Sequence, residues 1–232
     1  MLGIKTKIKK IISLIREGKF LVSERKIKKL MHQFRVDEYG HRANFATADL
    51  GYGWVHYGLL RAIKPKNVLC IGSRHGYIPG ILAQACKDNE FGHVDFVDAG
   101  FGDEDANHWT GEAYWKTEAG KTAFLRFDLQ NFITLHVMTT EEFKKIANKK
   151  VKYDYIYIDG DHSFKGVSRD YELFWPMLRA GGFIAFHDIS IKGKKPEGEY
   201  GVWKLWQKIS KKNAFSLEFL GSGLGVLQKN IS

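Results

Sequence analysis

The chain has 232 residues, 44% hydrophobic and 14% aromatic, which suits one large α/β domain with appendages. No apolar run approaches the roughly 18–20 residues of a membrane span, and the N-terminus lacks a secretory signal, so a cytoplasmic location is expected. Of the net charge of +10, residues 1–35 carry +9, and residues 36–232 hold 25 basic against 24 acidic residues. A nucleic-acid enzyme usually spreads positive charge over the face that meets phosphates, so nucleic acid is not the expected partner.

Residues 1–35 read as a basic amphipathic helical arm. Ile4, Ile8, Ile11, Ile12 and Ile15 recur at helical spacing among Lys5, Lys7, Lys9 and Lys10, and a second basic stretch, 25–29, surrounds Ile27. Such an arm packs on the domain or on another subunit of a homo-oligomer. Its alternative is peripheral contact with an anionic membrane, which would place the protein at the inner membrane surface. The domain proper is expected to span 36–232.

Within it, a helix around 53–63 stops before Pro65, and Asn67–Ile71 reads as a buried strand. Cys70 on that strand and Cys86 on the next helix read as reduced core residues. The turn 72–76 leads into the helix from Tyr77, where Pro79 is tolerated in the first turn. Strands follow at His93–Asp98, 133–138, 153–159 and 182–188, the last two separated by a helix with Val167, Tyr171, Phe174, Trp175 and Leu178 on one side. After a helix at Val202–Ile209, the strands 215–220 and 223–228 are joined too tightly for a helical crossover and must be antiparallel. This alternation is that of an α/β fold with a doubly wound, mostly parallel seven-stranded sheet and an antiparallel last strand.

Ligands of such sheets sit beyond the carboxyl ends of the strands, which here are Gly72, Asp98, 138–140, Asp159 and Asp188. The turn Gly72-Ser-Arg-His-Gly76 lets the backbone approach a ligand, though it matches neither a dinucleotide fingerprint nor a phosphate loop. Asp98 is placed to accept both ribose hydroxyls of a nucleoside. The densest group is Asp159-Gly-Asp161-His162 together with His187-Asp188. Adjacent strands bring Asp159, His187 and Asp188 within reach of one divalent ion such as Mg²⁺, unless these acids merely cap helices. The segment 100–131 exceeds an ordinary crossover and reads as a lid or as an extra packing element. Its Trp109 and Trp115 are candidates for stacking on a sugar or an aromatic ring.

The stretch from Tyr153 through Asp159-Gly-Asp-His-Ser-Phe164 to Val167, continued by residues 178–188, resembles class I S-adenosylmethionine-dependent methyltransferases of glycan and natural-product gene clusters. These are relatives of the catechol and caffeoyl-CoA O-methyltransferases, and the resemblance covers about residues 60–230. It implies a Rossmann-like fold and methyl transfer to a hydroxyl of a small molecule or glycan. By the same resemblance Gly72, Ser73, Gly76 and Tyr77 line the methionine end of S-adenosylmethionine, Asp98 takes the ribose, Met138 and Thr139 flank adenine, and Asp159 completes the cofactor set. Asp159, His187 and Asp188 match metal-binding positions, and Asp159 and His162 the catalytic ones, His162 standing where relatives use a lysine base. Two positions depart from the family: Cys70 replaces an acidic residue, and His187 replaces a metal-binding aspartate. Three alternatives stay open at this point. They are an Fe(II)-dependent hydroxylase using His162, His187 and Asp188, an RNA methyltransferase, and a non-catalytic nucleoside-binding protein.

Overall fold

A computed structural model describes residues 23–102, 113–148, 150–196, 198–212, 215–219, 221 and 223–231. The isoleucine stripe before residue 23 and the segment 103–112, with Trp109, lie outside the described residues. The elements are α1 (Glu24–Gln33), α2 (Glu38–His41), α3 (Tyr52–Ile63), β1 (Asn67–Ile71), α4 (Tyr77–Asn89), β2 (His93–Asp98), α5 (Glu118–Lys121), β3 (Ile133–Val137) and α6 (Thr140–Ile146). They continue with β4 (Tyr153–Ile158), α7 (Phe164–Phe174), β5 (Leu178–His187), the hairpin β6 (Gly193–Lys195) and β7 (Gly198–Tyr200), α8 (Val202–Ile209), β8 (Phe215–Phe219) and β9 (Leu224–Gln228).

The seven-stranded sheet runs in the order β3-β2-β1-β4-β5-β9-β8. Pairing is parallel from β3 to β5 and antiparallel between β5 and β9 and between β9 and β8. The reversed last strand therefore lies inside the sheet, and β8 forms the edge. Successive β1 residues feed opposite cores, as the period of a strand requires. Val68 and Cys70 join the layer of α1, α3 and α4, whereas Leu69 and Ile71 join that of α6, α7 and α8. In β9 the place opposite α8 is Gly225, where a Cβ would come within 2.6 Å of the Trp206 ring.

Two boundaries differ from expectation for local reasons. Helix α7 stops at Phe174 and tightens into a 3-10 turn over Trp175–Met177, because Pro176 brings no amide donor. Strand β5 begins at Leu178, ahead of Gly181 and Gly182, because an irregularity in its pairing with β4 absorbs them. The described end of the basic arm is no free appendage. Ile27, Leu30, Met31 and Phe34 are buried in the main core, and Phe34 rests on Gly80 of α4, where a Cβ would lie 2.5 Å from its ring. Among the described residues no helix is long and apolar enough to cross a membrane.

Candidate active site

A cleft of about 850 Å³ opens over the carboxyl ends of β1 to β5. Its floor begins with Gly72, at φ +75°, where an added Cβ would sit 2.3 Å from the Asp159 carbonyl oxygen. That close approach joins the β1 turn to the β4 turn, and only glycine permits it. The turn is then pinned on all sides. The Ser73 amide donates to Asp98 Oδ2 at 3.0 Å, the Gly100 amide to Asp98 Oδ1 at 2.8 Å, and the Gly76 amide to Ser73 Oγ at 3.0 Å. Burial pushes the Asp98 carboxyl up to about 6, although the two amides favour its ionised form.

Most residues expected at this site line the cleft: Gly72, Ser73, Tyr77, Asp98, Met138, Thr139, Asp159, His162, His187 and Asp188. Gly76 is not among the lining residues. It lies behind the turn, where a Cβ would meet the Trp115 ring at 2.8 Å and that of Phe34 at 3.0 Å. Thr139 caps α6 through a reciprocal pair with Glu142, which fixes the cleft wall after β3.

Trp115 corrects the reading of the insert. It is buried, stacks on Phe124 with ring centroids 5.6 Å apart, and donates from Nε1 to the Ser73 carbonyl at 2.7 Å. This indole reaches the cleft wall as a buried support of the turn and offers no open face to an acceptor ring. Residues 113–131 are thus a packing element whose Trp115, Ala123, Phe124 and Leu129 complete the core.

At the other end of the cleft, two carboxylates and two imidazoles form one network. His187 Nδ1 lies 2.9 Å from Asp188 Oδ1 and 3.5 Å from Asp159 Oδ1, and its Nε2 faces the Gly40 carbonyl at 3.0 Å. Both nitrogens face acceptors, an arrangement that favours the charged ring. Burial works against that charge, but Asp188 and Asp159 outweigh it and push the pKa up to about 10. His162 lies 3.3 Å from Asp188 Oδ2 through Nδ1 and 3.4 Å from Asp159 Oδ1 through Nε2. Burial again opposes its charge, and the two carboxylates raise its pKa above the ordinary value. Asp159 also accepts from the Tyr157 hydroxyl at 2.9 Å. Burial disfavours its anion, yet His187 and His162 hold the carboxyl down at about 2. Asp188 sits at φ 59°, an uncommon conformation for a non-glycine residue and one that recurs at functional sites.

The three residues of the metal set inferred from the family resemblance, Asp159, His187 and Asp188, lie together in this network. The Gly40 carbonyl engages one His187 nitrogen and leaves the other facing Asp159 and Asp188, which is also the way an outer partner orients a metal-binding imidazole. A different trio, Asp159, His162 and Asp188, offers donor atoms within 4.8 Å of one another and has the spacing for a small divalent ion.

Sequence reasoning missed the wall opposite. Helix α2 brings His41 to 4.8 Å from the His187 ring and 5.0 Å from the Tyr77 ring, and it supplies the Gly40 carbonyl. Burial, then the His187 charge, lowers the His41 pKa to about 4, so this ring is neutral. Its buried Nδ1 has no hydrogen-bond partner. A helix of four residues offers no periodicity to read, and only the capping pattern of Asp37 announced it.

Fold and cleft together define a class I, Rossmann-like architecture with an acid–imidazole cluster at its switch region. A family model described as a methyltransferase domain matches residues 69–189, from β1 to just past β5, and the chain belongs to that family. The uncharacterized protein y4gI of Sinorhizobium fredii is 28% identical over 163 residues, 68% of this chain and 17% of that protein. The chain thus spans about one sixth of the length of that curated relative. Among solved structures, an O-methyltransferase from Bacillus cereus in complex with S-adenosylhomocysteine superposes with a TM-score of 0.62 at 15% identity, covering 94% of this chain and 97% of that one. The O-methyltransferase TomG from Streptomyces achromogenes, in complex with S-adenosylmethionine, gives 0.59 at 13% identity, covering 93% and 95%. A methyltransferase from Podospora anserina, bound to S-adenosylhomocysteine, gives 0.59 at 15%, covering 99% and 98%. At these identities the likeness is one of fold.

Proposed function

We propose that the protein transfers the methyl group of S-adenosylmethionine to a hydroxyl of a small molecule or glycan. The observation that carries this reading is one cleft holding both the Gly72/Asp98 cradle and the Asp159/His162/Asp188 cluster. The cradle suits a nucleoside: Asp98 keeps lone pairs beyond its two amide contacts for ribose hydroxyls, and the acidic strand ends favour a cationic sulfonium. The acceptor oxygen attacks the methyl carbon as the carbon–sulfur bond breaks, leaving S-adenosylhomocysteine, and the hydroxyl proton passes to His162. Asp188 and Asp159 orient that imidazole and stabilise its charged form, which makes it a stronger base. His187 stays protonated and holds the two carboxylates in place. Asp159, His162 and Asp188 could instead hold a divalent ion, which would polarise the acceptor oxygen in place of the histidine base.

Nucleic acid is no part of this reading, because the charge on 36–232 is balanced. Residues 1–35 are the candidate contact to another subunit or to an anionic membrane surface, and a cytoplasmic site at the inner face accords with both.

Calorimetric titration with S-adenosylhomocysteine tests the cofactor. Tight, metal-independent binding is expected, and no binding at millimolar concentration would end the proposal. Ribose hydroxyls donate to an ionised Asp98. Affinity should therefore hold above about pH 7 and fall below the Asp98 pKa of about 6, by up to about tenfold per pH unit. A flat profile down to about pH 5 would remove Asp98 from the ribose site. For His162, replacement by alanine is expected to lower turnover by about 10²- to 10⁴-fold with cofactor affinity unchanged. Unaltered turnover would sink the base.

A further inference from the structure

The balanced charge of the domain conceals a local excess. Residues 190–212 hold seven lysines against two glutamates, and the fold gathers four of those lysines around one recess beside the cleft. Lys204, Lys208 and Lys211 come from α8 and its 3-10 extension at intervals of four and three residues, so they share a face. The other face, with Val202, Leu205, Trp206 and Ile209, is buried. Lys192 arrives from the loop after β5. Its Nζ stands 5.1 Å from the centre of the Trp203 ring, with that of Lys204 at 5.6 Å, and Lys208 Nζ stands 4.5 Å from the centre of the Phe164 ring.

Carboxylates do little to offset this charge. Among the described residues Lys204 reaches exposed Glu199 at 3.9 Å, while Glu218, on the wall of the recess, accepts from Trp206 Nε1 at 2.6 Å. Lys192, Lys208 and Lys211 have no carboxylate partner there. A second observation is independent of charge. Trp203 lines the recess, and its indole Nε1–H is buried with no acceptor. An orphaned buried donor is unfavourable unless an acceptor reaches it. A row of like charges at helical spacing adds repulsion. One group relieves both at once: an anion rich in acceptor oxygens.

We propose that this recess is a binding site for the phosphate of a soluble phosphorylated ligand, held by Lys192, Lys204, Lys208 and the Trp203 indole. On the reading of the cleft given above, that ligand is the methyl acceptor. The two recesses are lined by neighbouring residues of the same segments: Phe164 follows His162 by two residues, and Ile191, between Ser190 and Lys192, faces the cleft. A molecule with its hydroxyl beside His162 can thus place a phosphate among the lysines. The anion site itself does not depend on methyl transfer.

The test is calorimetric titration of the full chain with inorganic pyrophosphate, in the native protein and in the K192Q/K208Q and W203F variants. The basic segment 1–35 is the same in all three, so any difference between them belongs to the recess. Native protein is expected to bind, K192Q/K208Q to bind at least about tenfold more weakly and W203F several-fold more weakly, since charge-assisted contacts are the strong ones. S-adenosylhomocysteine affinity should be equal in all three. Absence of pyrophosphate binding at about 10 mM, or equal affinity in native protein and K192Q/K208Q, would overturn the site. So would sedimentation with phosphatidylglycerol vesicles that K192Q/K208Q abolishes and pyrophosphate does not displace, which would make the recess a membrane contact. Loss of S-adenosylhomocysteine binding alone would strike the cofactor reading and leave the anion site standing.

Discussion

Replacing Asp159 with asparagine is expected to lower turnover by about a thousandfold and to cost about 3–5 kcal/mol of stability. The two effects have one origin. Asp159 is the hub of the network, in contact with His187, His162 and the Tyr157 hydroxyl, and its side chain is only 13% exposed. Asparagine preserves the shape and removes the charge, so the buried His187 imidazolium loses one of its two counter-ions and His162 loses part of the field that makes it a base. Breaking a buried pair from one side costs more than the pair contributes, because the remaining charge is left uncompensated. The double variant D159N/H187N should therefore recover much of the lost stability without recovering turnover, as thermal unfolding and methyl-transfer assays would show. A double variant no more stable than D159N would mean that His187 is not a buried cation.

The same network gives stability a pH dependence of definite sign. The folded state raises the His187 pKa from the ordinary 6.5 to about 10. Its contribution is complete below about pH 6.5 and is lost as pH rises towards about 10. D159N should narrow that window.

Gly72→Ala is the second large effect, and it acts through the backbone. The new Cβ would lie 2.3 Å from the Asp159 carbonyl oxygen and 2.5 Å from Gly160 Cα, with φ at +75°. Neither neighbour is the end of a flexible side chain, so relief requires the β1 and β4 turns to part. Overpacking and a left-handed alanine together should cost about 3–5 kcal/mol. The displaced Ser73 amide would release Asp98, and S-adenosylhomocysteine binding should fall with it. Gly58→Ala supplies the control. A Cβ there meets nothing within 4 Å, inside helix α3, and should stabilise by about 0.5–1 kcal/mol. Denaturant unfolding of both variants checks the contrast, and an unimpaired Gly72→Ala protein would mean that the turns are not locked together.

Much of the fold was legible because its strands are short, apolar and separated by amphipathic helices. Asn67–Ile71, His93–Asp98 and Val202–Ile209 have the expected bounds. The strand-end rule then located Gly72, Asp98, Asp159 and Asp188 from chain order alone. Gly76 packs against Trp115 and Phe34 outside the cleft lining; a glycine at a turn has two uses, approach to a ligand and room for packing, and sequence does not distinguish them. Trp115 failed for a related reason: an aromatic in a long insert can face the ligand or support the floor beneath it.

What the sequence by itself determined is the sheet, its reversed last strand and the strand ends where chemistry collects. These follow from local periodicity and spacing, which are written along the chain. The tertiary structure decided what each charged group does. The His187 ring is oriented towards Asp159 and Asp188 because α2, nearly 150 positions away, presents the Gly40 carbonyl to its second nitrogen. Lysines that vanish in a balanced total became one recess because a helix face and a distant loop converge on Trp203. Protonation and affinity depend on distances below about 4 Å between groups far apart in sequence, and only the folded chain sets those.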